Sequence, residues 1–125
     1  MRLIDTSAWI EWLIGSPTGT EVAGLLPDSA SWLVPTIVQL ELMKWLTREV
    51  GEDKADQVIA FTHTCQVAAL DTALALAAAE MARTHKLATA DAIVYATSLA
   101  FDAELVTCDQ HFAGLPGVTL VRKRP

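Results

Sequence analysis

Four acidic residues of this chain lie in apolar surroundings, where a carboxylate is energetically costly. Each of them closes, opens or interrupts a mostly apolar segment: Asp5, Glu41, Asp91 and Asp109. Cations are scarce nearby, because no Lys or Arg occurs between Arg2 and Lys44 or between Lys86 and Arg122. A carboxylate on a mostly buried element needs a paired cation or a metal ion, and several converging carboxylates need a hard cation between them. The sequence therefore predicts a divalent-metal site, and the chemistry we expect there is cleavage of phosphodiester bonds.

Asp5 and Glu41 each have a simpler structural explanation. Asp5 precedes a predicted helix that begins at Thr6, so its carboxylate is a candidate N-cap. Glu41 shares one line of a predicted helix with Lys44 and Arg48, where an ion pair with Lys44 on a solvated face is the plain interpretation. The functional interpretation puts Glu41 over the sheet edge, with Lys44 or Arg48 near enough to hold a phosphate.

Asp91 and Asp109 also have structural alternatives. Asp91 opens a predicted helix, where a first-turn carboxylate complements the helix dipole. Yet this helix is so apolar that we expect it to be buried, with its polar line of Asp91, Tyr95 and Ser98 facing a cavity. Asp109 follows an apolar segment and is equally suited to forming a turn. The prediction of a metal site therefore depends on the four carboxylates as a set and not on any one of them.

Alternating strands and helices position these residues. Strands are predicted at residues 2–5, 31–34, 66–70, 104–107 and 118–121, and helices at residues 6–13, 18–26, 36–50, 53–62, 72–85 and 90–101. Asp71 and Thr89 are predicted to cap the last two helices. This order is typical of an α/β fold, a three-layer α/β/α domain with a central parallel sheet that spans residues 1–125.

The carboxyl ends of parallel strands form the functional crevice in such sheets. Asp5 and Asp109 both end or follow predicted strands, and Thr6 and Thr107 present hydroxyl groups at the same edge, where we predict that they bind substrate. We therefore expect both carboxylates, with these two hydroxyls, at one edge of the sheet.

The composition describes a compact chain with a real hydrophobic core. Of its 125 residues, 52% are hydrophobic, and the net charge is −6. No apolar segment approaches the length of a membrane span, and no secretory signal is recognisable, so we expect a cytoplasmic protein. The negative charge argues against a broad electrostatic nucleic-acid binder but not against a nuclease, because part of that charge belongs to the predicted metal site.

The cysteines and histidines show no spacing typical of a zinc site. Cys65 and Cys108 lie in unlike contexts and are predicted to be reduced thiols. His63, His85 and His111 are scattered along the chain. The sequence therefore predicts no zinc site from these residues.

Three segments and one isolated residue carry a resemblance to a known family. The segments are LIDTSAW at residues 3–9, TADAIVYAT at residues 89–97 and LVTCDQHF at residues 105–112, and the residue is Glu41. In this order and spacing they resemble the PIN-domain ribonucleases, especially the VapC-type toxins of bacterial toxin–antitoxin modules. One departure is Cys108, where many relatives carry Arg, so a possible phosphate contact is missing.

The resemblance implies a catalytic centre with one or two Mg²⁺ or Mn²⁺ ions. The positions matching Asp5, Asp91 and Asp109 would be metal ligands, with Asp109 binding directly or through water. Glu41 would be a ligand or would orient the attacking water, and Thr6 would assist. The expected activity is a metal-dependent endoribonuclease.

The resemblance also implies partners. Members of this family are typically homodimers, and a cognate antitoxin inhibits them by placing a basic or aromatic segment in the acidic crevice. The net negative charge agrees with a basic partner. The four tryptophans are predicted to be core or dimer-interface residues, and the basic residues 122–124 are either a solvated tail or a contact to the RNA backbone.

Three rival functions remain to be compared. A haloacid-dehalogenase-like phosphoryl enzyme requires a second Asp two residues after the first, and Ser7 occupies that position. A non-catalytic module whose acidic crevice binds a basic peptide is disfavoured by the full set of four carboxylates. A PIN nuclease that processes RNA without being a toxin is not separable from the toxin by sequence.

Overall fold

The computed structural model describes all 125 residues and contains a five-stranded parallel sheet. The strands are β1 (Arg2–Ile4), β2 (Trp32–Pro35), β3 (Gln66–Ala68), β4 (Glu104–Thr107) and β5 (Val118–Leu120). Their order across the sheet is β3-β2-β1-β4-β5, and every neighbouring pair is parallel. The central strand is therefore the first in the sequence, and β4 lies directly beside it.

Six helices connect the strands. They are α1 (Thr6–Ile14), α2 (Pro17–Ala23), α3 (Thr36–Glu49), α4 (Glu52–Thr62), α5 (Thr72–His85) and α6 (Thr89–Ala100), with short 3₁₀ helices at Ser29–Ser31 and Gln110–Phe112. The chain moves from β1 outward to β3 and then returns to β4, so right-handed crossovers put α1 to α4 on one face and α5 and α6 on the other. This confirms the predicted α/β/α architecture.

Several predicted element bounds differ from the structure. The second helix ends at Ala23 and not at residue 26, because Leu25 and Leu26 leave the helix in a tight turn and pack against the core. The predicted cap at Thr89 is wrong, since Ala88 holds the N-cap position and Thr89 is the first helical residue. The cap at Asp71 is confirmed, with its Oδ1 accepting from Leu74 N–H at 2.9 Å.

The core lies on both faces of the central strands. Residues Leu3, Leu33 and Leu105 of β1, β2 and β4 are completely buried. On the α1 side, four aromatic rings pack with centroids 5.0 to 6.4 Å apart, and we call them the aromatic cluster: Trp9, Trp12, Trp32 and Phe61. Edge-to-face packing of this kind stabilises a core beyond simple area burial. Trp45 is half-buried and lies apart from the cluster.

Two further features agree with the sequence. Cys65 and Cys108 are free thiols, and Cys108 is buried. No helix in the structure has the length and the continuous apolar surface that a membrane crossing requires.

Candidate metal-binding site

The register between β1 and β4 brings the first and last predicted site residues together. Ile4 pairs with Val106, and the backbone N–H of Asp5 donates to the Val106 carbonyl at 2.9 Å. Because both strands run in the same direction, Asp5 and the residues that follow Val106 emerge at one edge. The predicted convergence of Asp5 and Asp109 at the carboxyl ends of their strands follows from this pairing.

Asp5 is a buried carboxylate without a cation. Its residue is 6% exposed, and its Oδ2 accepts hydrogen bonds from Ser7 Oγ at 2.9 Å and Thr107 Oγ1 at 2.7 Å. Asp5 occupies the N-cap position of α1, but its side chain makes no capping bond, so the plain capping interpretation is wrong. Two hydroxyl groups thus orient a carboxylate that no Lys or Arg neutralises.

The pKa of Asp5 records the cost of this environment. Burial raises it from 3.8 to about 6, and the nearby charge of Glu41 adds to the increase, while the hydrogen bonds from Thr107 and Ser7 act against it. Desolvation and a like charge both disfavour the ionised form. A divalent cation at this edge would reverse both effects.

Glu41 lies on α3 and turns toward the site. The hydroxyl of Thr6 donates to Glu41 Oε1 at 2.7 Å. The alternative ion pair between Glu41 and Lys44 is absent. Instead, the two side chains line a pocket of about 250 Å³ with Thr6, Trp45, Arg48 and Ile10, which we call the α3 pocket. The predicted line of Glu41, Lys44 and Arg48 along the helix therefore borders an open pocket.

Asp91 and Asp109 come together with a third group that the sequence did not single out. One donor atom each of Asp91, Asp109 and His111 lie within 4.8 Å of one another. His111 Nδ1 is 2.8 Å from Asp109 Oδ1 and 3.8 Å from Asp91 Oδ2. Burial raises the pKa of Asp91, the charges of Asp109 and Glu41 raise it further, and His111 opposes the shift.

Asp109 combines two of its predicted roles. Its Oδ1 accepts from the backbone N–H of His111 at 2.9 Å, which confirms the turn-forming interpretation. The same side chain is only partly exposed and belongs to the carboxylate group with Asp91. Turn formation thus fixes the carboxylate and leaves it at the site.

Hydroxyl groups connect the two strand ends beneath the carboxylates. Thr107 is completely buried, and its Oγ1 donates to Asp5 and accepts from the Asp109 N–H at 3.0 Å. Ser7 Oγ donates to Asp5 and accepts from the Cys108 N–H at 3.0 Å. Sequence reasoning missed Ser7, whose only signal was a hydroxyl two residues after Asp5.

The predicted polar line of α6 does not face a cavity as a whole. Tyr95 is 2% exposed and donates from its hydroxyl to the Pro116 carbonyl at 2.8 Å. Ser98 is buried and donates to the Tyr95 carbonyl at 2.7 Å. Only Asp91, in the first turn, reaches the site, because the other two find carbonyl partners inside the protein.

The donor set fits a hard divalent cation. Carboxylate oxygens are the ligands that Mg²⁺ and Mn²⁺ favour in proteins, and Mg²⁺ needs few of them because it keeps several waters. Asp91 and Asp109 are close enough to share one ion. Asp5 and Glu41 lie outside this 4.8 Å group but close enough for Glu41 to raise the pKa of both Asp5 and Asp91.

Comparisons with known proteins agree with the fold. The family model of the PIN domain matches residues 2–118. A toxin–antitoxin complex from Klebsiella pneumoniae superposes with a TM-score of 0.85 at 22% identity, covering 99% of this chain and 100% of that one. No significant match occurs among curated proteins.

Two further structures have the same fold. VapC20 from Mycobacterium tuberculosis, described as a toxin that cleaves the sarcin–ricin loop, has a TM-score of 0.75 at 19% identity, with both chains fully covered. VapBC2 from Rickettsia felis, bound to a DNA fragment from its promoter, has a TM-score of 0.73 at 14% identity over 98% of both chains. At these identities the structural matches support the fold.

Proposed function

The chain belongs to the PIN domain family, and from this premise we propose that it is a divalent-metal-dependent endoribonuclease, the toxin of a type II toxin–antitoxin system. One observation carries the proposal. Asp91 and Asp109 converge, and the hydroxyl of Thr107 links the Asp109 backbone to Asp5, a buried carboxylate with a raised pKa and no Lys or Arg to neutralise it. Such an arrangement is unfavourable in the absence of a cation and favourable in its presence.

We assign Asp91 and Asp109 as direct ligands of Mg²⁺ or Mn²⁺, and Asp5 as the third. The ion, when bound, supplies Lewis-acid activation of the scissile phosphate and of the attacking water. Ser7 and Thr107 hold Asp5 in its orientation through their hydroxyl groups. Thr107 is fully buried and its hydroxyl contacts Asp5, the Asp109 N–H and Ser7 within the protein, so we assign it a positioning role and not a contact to substrate.

Glu41 is assigned to orient the attacking water. Thr6 occupies only Oε1 of its carboxylate, so the second oxygen stays available to accept a hydrogen bond from a water molecule. Lys44 and Arg48 border the same pocket and are assigned to hold a substrate phosphate. The ion pair of Arg48 with Glu49 is exposed and therefore weak enough to exchange for a phosphate.

The toxin assignment is supported by the relatives and by charge. The neighbouring structures from Klebsiella pneumoniae and Rickettsia felis are toxin–antitoxin complexes. The net charge of −6 and the acidic edge suit an antitoxin with a basic segment. Homodimer formation stays a prediction from the family resemblance.

Cleavage of total RNA by the purified chain tests the enzyme. We expect discrete fragments with Mg²⁺ or Mn²⁺, none with EDTA, and a loss of more than about a hundredfold in Asp91→Asn, beyond what outer-shell metal partners cost. Asp56→Asn is the matched control, because it removes one exposed carboxylate on α4. Isothermal titration with Mn²⁺ should give binding for wild type and Asp56→Asn but not for Asp91→Asn.

Three outcomes would contradict these assignments. Cleavage that survives both EDTA and Asp91→Asn would overturn the metal site. A folded, antitoxin-free sample that binds Mn²⁺ but cuts no RNA would overturn the general ribonuclease. Expression that does not arrest bacterial growth, or arrest that the product of the adjacent reading frame does not relieve, would favour an RNA-processing nuclease over a toxin.

A further inference from the structure

A second pocket borders the carboxylates on the side away from α3. Its volume is about 550 Å³, and it is lined by Ser7, Cys108, Asp109, Gln110, Arg122 and Lys123. Asp109 belongs both to this pocket and to the carboxylate group, so the two sites are adjacent. We call it the tail pocket, because its two cations come from the segment after β5.

The backbone of this segment is held in place at both ends. The Val121 N–H donates to the Thr107 carbonyl at 2.8 Å, and the Val121 side chain is 5% exposed. The Arg124 N–H donates to the hydroxyl of Thr18 at 2.8 Å, and Thr18 is buried. Residues 122 and 123 therefore lie between two anchors, so a ligand would not have to order their backbone on binding.

The two cations of the tail pocket have no ion-pair partners. Arg124 pairs with Glu21 at 3.4 Å, whereas Arg122 and Lys123 make no ion pair. The chain has nine Lys and Arg residues, and four of them line the tail pocket or the α3 pocket. In a protein of net charge −6, this clustering points to a local anion site.

The sheet order puts these two pockets on opposite flanks of the carboxylates. The α3 pocket lies on the helix that follows β2, and the tail pocket is formed by the segment after β5, with β1 and β4 between them. An RNA strand that passes over Asp91 and Asp109 would meet cations on both sides. A basic peptide in the tail pocket would instead face two like charges.

We propose that the tail pocket binds a phosphodiester group of the RNA strand next to the scissile one, through Arg122 and Lys123. This inference rests on the proposed ribonuclease function. The Gln110 side-chain amide adds a neutral donor on the same wall. The pocket thereby fixes the path of the strand across the carboxylates.

Salt-dependent RNA binding tests the tail pocket. Fluorescence anisotropy measures the Kd of a labelled oligouridylate for Asp91→Asn, which prevents cleavage, across a KCl series. Adding Arg122→Gln and Lys123→Gln should reduce the magnitude of the slope of log K against log salt by about 0.7. When salt is lowered from about 1 M to about 0.1 M, the RNA affinity of this variant should therefore increase about fivefold less than that of its parent. Lys54→Gln with Arg83→Gln is the matched control, because it removes two exposed charges that line neither pocket.

Cleavage kinetics give a second measurement in the active enzyme. The Gln pair should raise KM and leave kcat unchanged, since this contact is made equally in ground and transition states. Exchanging the two cations, Arg122→Lys with Lys123→Arg, preserves both charges and should keep the wild-type slope. A thermal melt for each variant separates lost contacts from lost folding.

The outcomes distinguish the inference from the function on which it rests. In one outcome, the wild-type protein cleaves RNA while the Gln pair keeps the Kd, slope and KM of its parent. That result would contradict the phosphate site in the tail pocket and leave the proposed nuclease function unaffected. An equal loss of RNA affinity in the control pair would show that the effect comes from the overall charge of the protein, which would also contradict the phosphate site. If the wild-type protein does not cleave RNA and the Asp91→Asn protein does not bind it, both proposals are wrong. If the Gln pair unfolds, the single substitutions Arg122→Gln and Lys123→Gln decide, because a wild-type slope and KM in both would contradict a phosphate site.

Discussion

The aromatic cluster and the carboxylate edge share helix α1 but are built on opposite physical principles. Trp9 lies four residues after Asp5, and both are almost completely buried. Around Trp9, apolar rings meet edge to face and stabilise the fold. Around Asp5, a buried charge faces another carboxylate and destabilises it. One helix thus combines a region that favours folding with one that opposes it.

This difference teaches how a small domain maintains an unfavourable site. The Asp5 carboxylate remains buried because β1 and β4 fix the backbone around it and Ser7 and Thr107 fix its side chain. The stability that it costs is offset by packing elsewhere, as is common at functional sites. Substitutions in the two regions should therefore change stability in opposite directions.

Truncating the aromatic cluster should have the largest effect. Trp9 is completely buried, so Trp9→Ala should lower the free energy of unfolding by about 3–5 kcal/mol. Trp9→Phe should cost less, because it keeps an aromatic ring and removes an indole N–H that has no hydrogen-bond partner. Urea denaturation of metal-free protein measures both. Equal losses in the two variants would contradict the packing argument.

Neutralising the carboxylate should have the opposite sign. Asp5→Asn keeps an oxygen that accepts from Ser7 and Thr107 and removes the buried charge. Since the pKa of Asp5 rises from 3.8 to about 6, Asn should stabilise the metal-free protein near pH 7.5 by about 2–3 kcal/mol. It should also abolish stabilisation by Mn²⁺ in a thermal melt.

The exposed carboxylate of Asp56 provides the control for this comparison. Asp56→Asn removes the same charge on α4 and should change stability by less than about 0.5 kcal/mol. A metal-free Asp5→Asn protein that is less stable than wild type would show that the edge is not the strained region. The contrast with the aromatic cluster would then fail.

The sequence was informative about the fold and the carboxylates because both depend on local patterns. Apolar runs separated by turn residues predicted all five strands, and parallel pairing then brought Asp5 and Asp109 to one edge. Ser7 was missed because its partner, the Cys108 N–H, lies 101 residues away. The ordered tail was missed for the same reason, since Arg124 is anchored by Thr18.

Two errors on α6 have a physical cause. The helix was predicted to begin after a Thr89 cap, but the preceding Ala88 takes the cap position without a side-chain bond. Its polar line was predicted to face a cavity, yet Tyr95 and Ser98 bond to carbonyl groups inside the protein. A buried hydroxyl that donates to a carbonyl inside the protein therefore does not indicate a site, whereas the partly buried carboxylate of Asp91 lies with that of Asp109.

Acidification should also separate the two regions, by a smaller amount. A folded pKa above the unfolded value means that the native state binds the proton more tightly. The stability that protonated Asp5 contributes is fully present below pH 3.8, its pKa in the unfolded chain. It is lost as the pH rises through about 6, its pKa in the folded protein. From Asp5 alone, metal-free protein should gain about 1.3 kcal/mol between pH 7 and pH 5.

The gain on acidification should disappear when the carboxylate does. Urea denaturation at both pH values should give a smaller difference in Asp5→Asn, and an unchanged one in Trp9→Phe, which leaves the edge intact. Saturating Mn²⁺ should stabilise wild type more at pH 7 than at pH 5, because protons and metal compete for the same carboxylates. A pH response that survives Asp5→Asn in full would assign it to other groups.

The smallest expected effect concerns the link between α1 and α3. Thr6→Val removes the hydroxyl that donates to Glu41 Oε1 and keeps the shape of the side chain. The released Glu41 carboxylate should sample more orientations, so cleavage should fall by about tenfold, as expected for the loss of one hydrogen bond to a charged group. Thr6→Ser should retain most of the activity, because its hydroxyl can still donate.

Mn²⁺ affinity should stay unchanged in both variants, since Asp5, Asp91 and Asp109 are untouched. A Thr6→Val protein with full activity would mean that Glu41 needs no orientation, and one that loses Mn²⁺ affinity would make Glu41 a ligand.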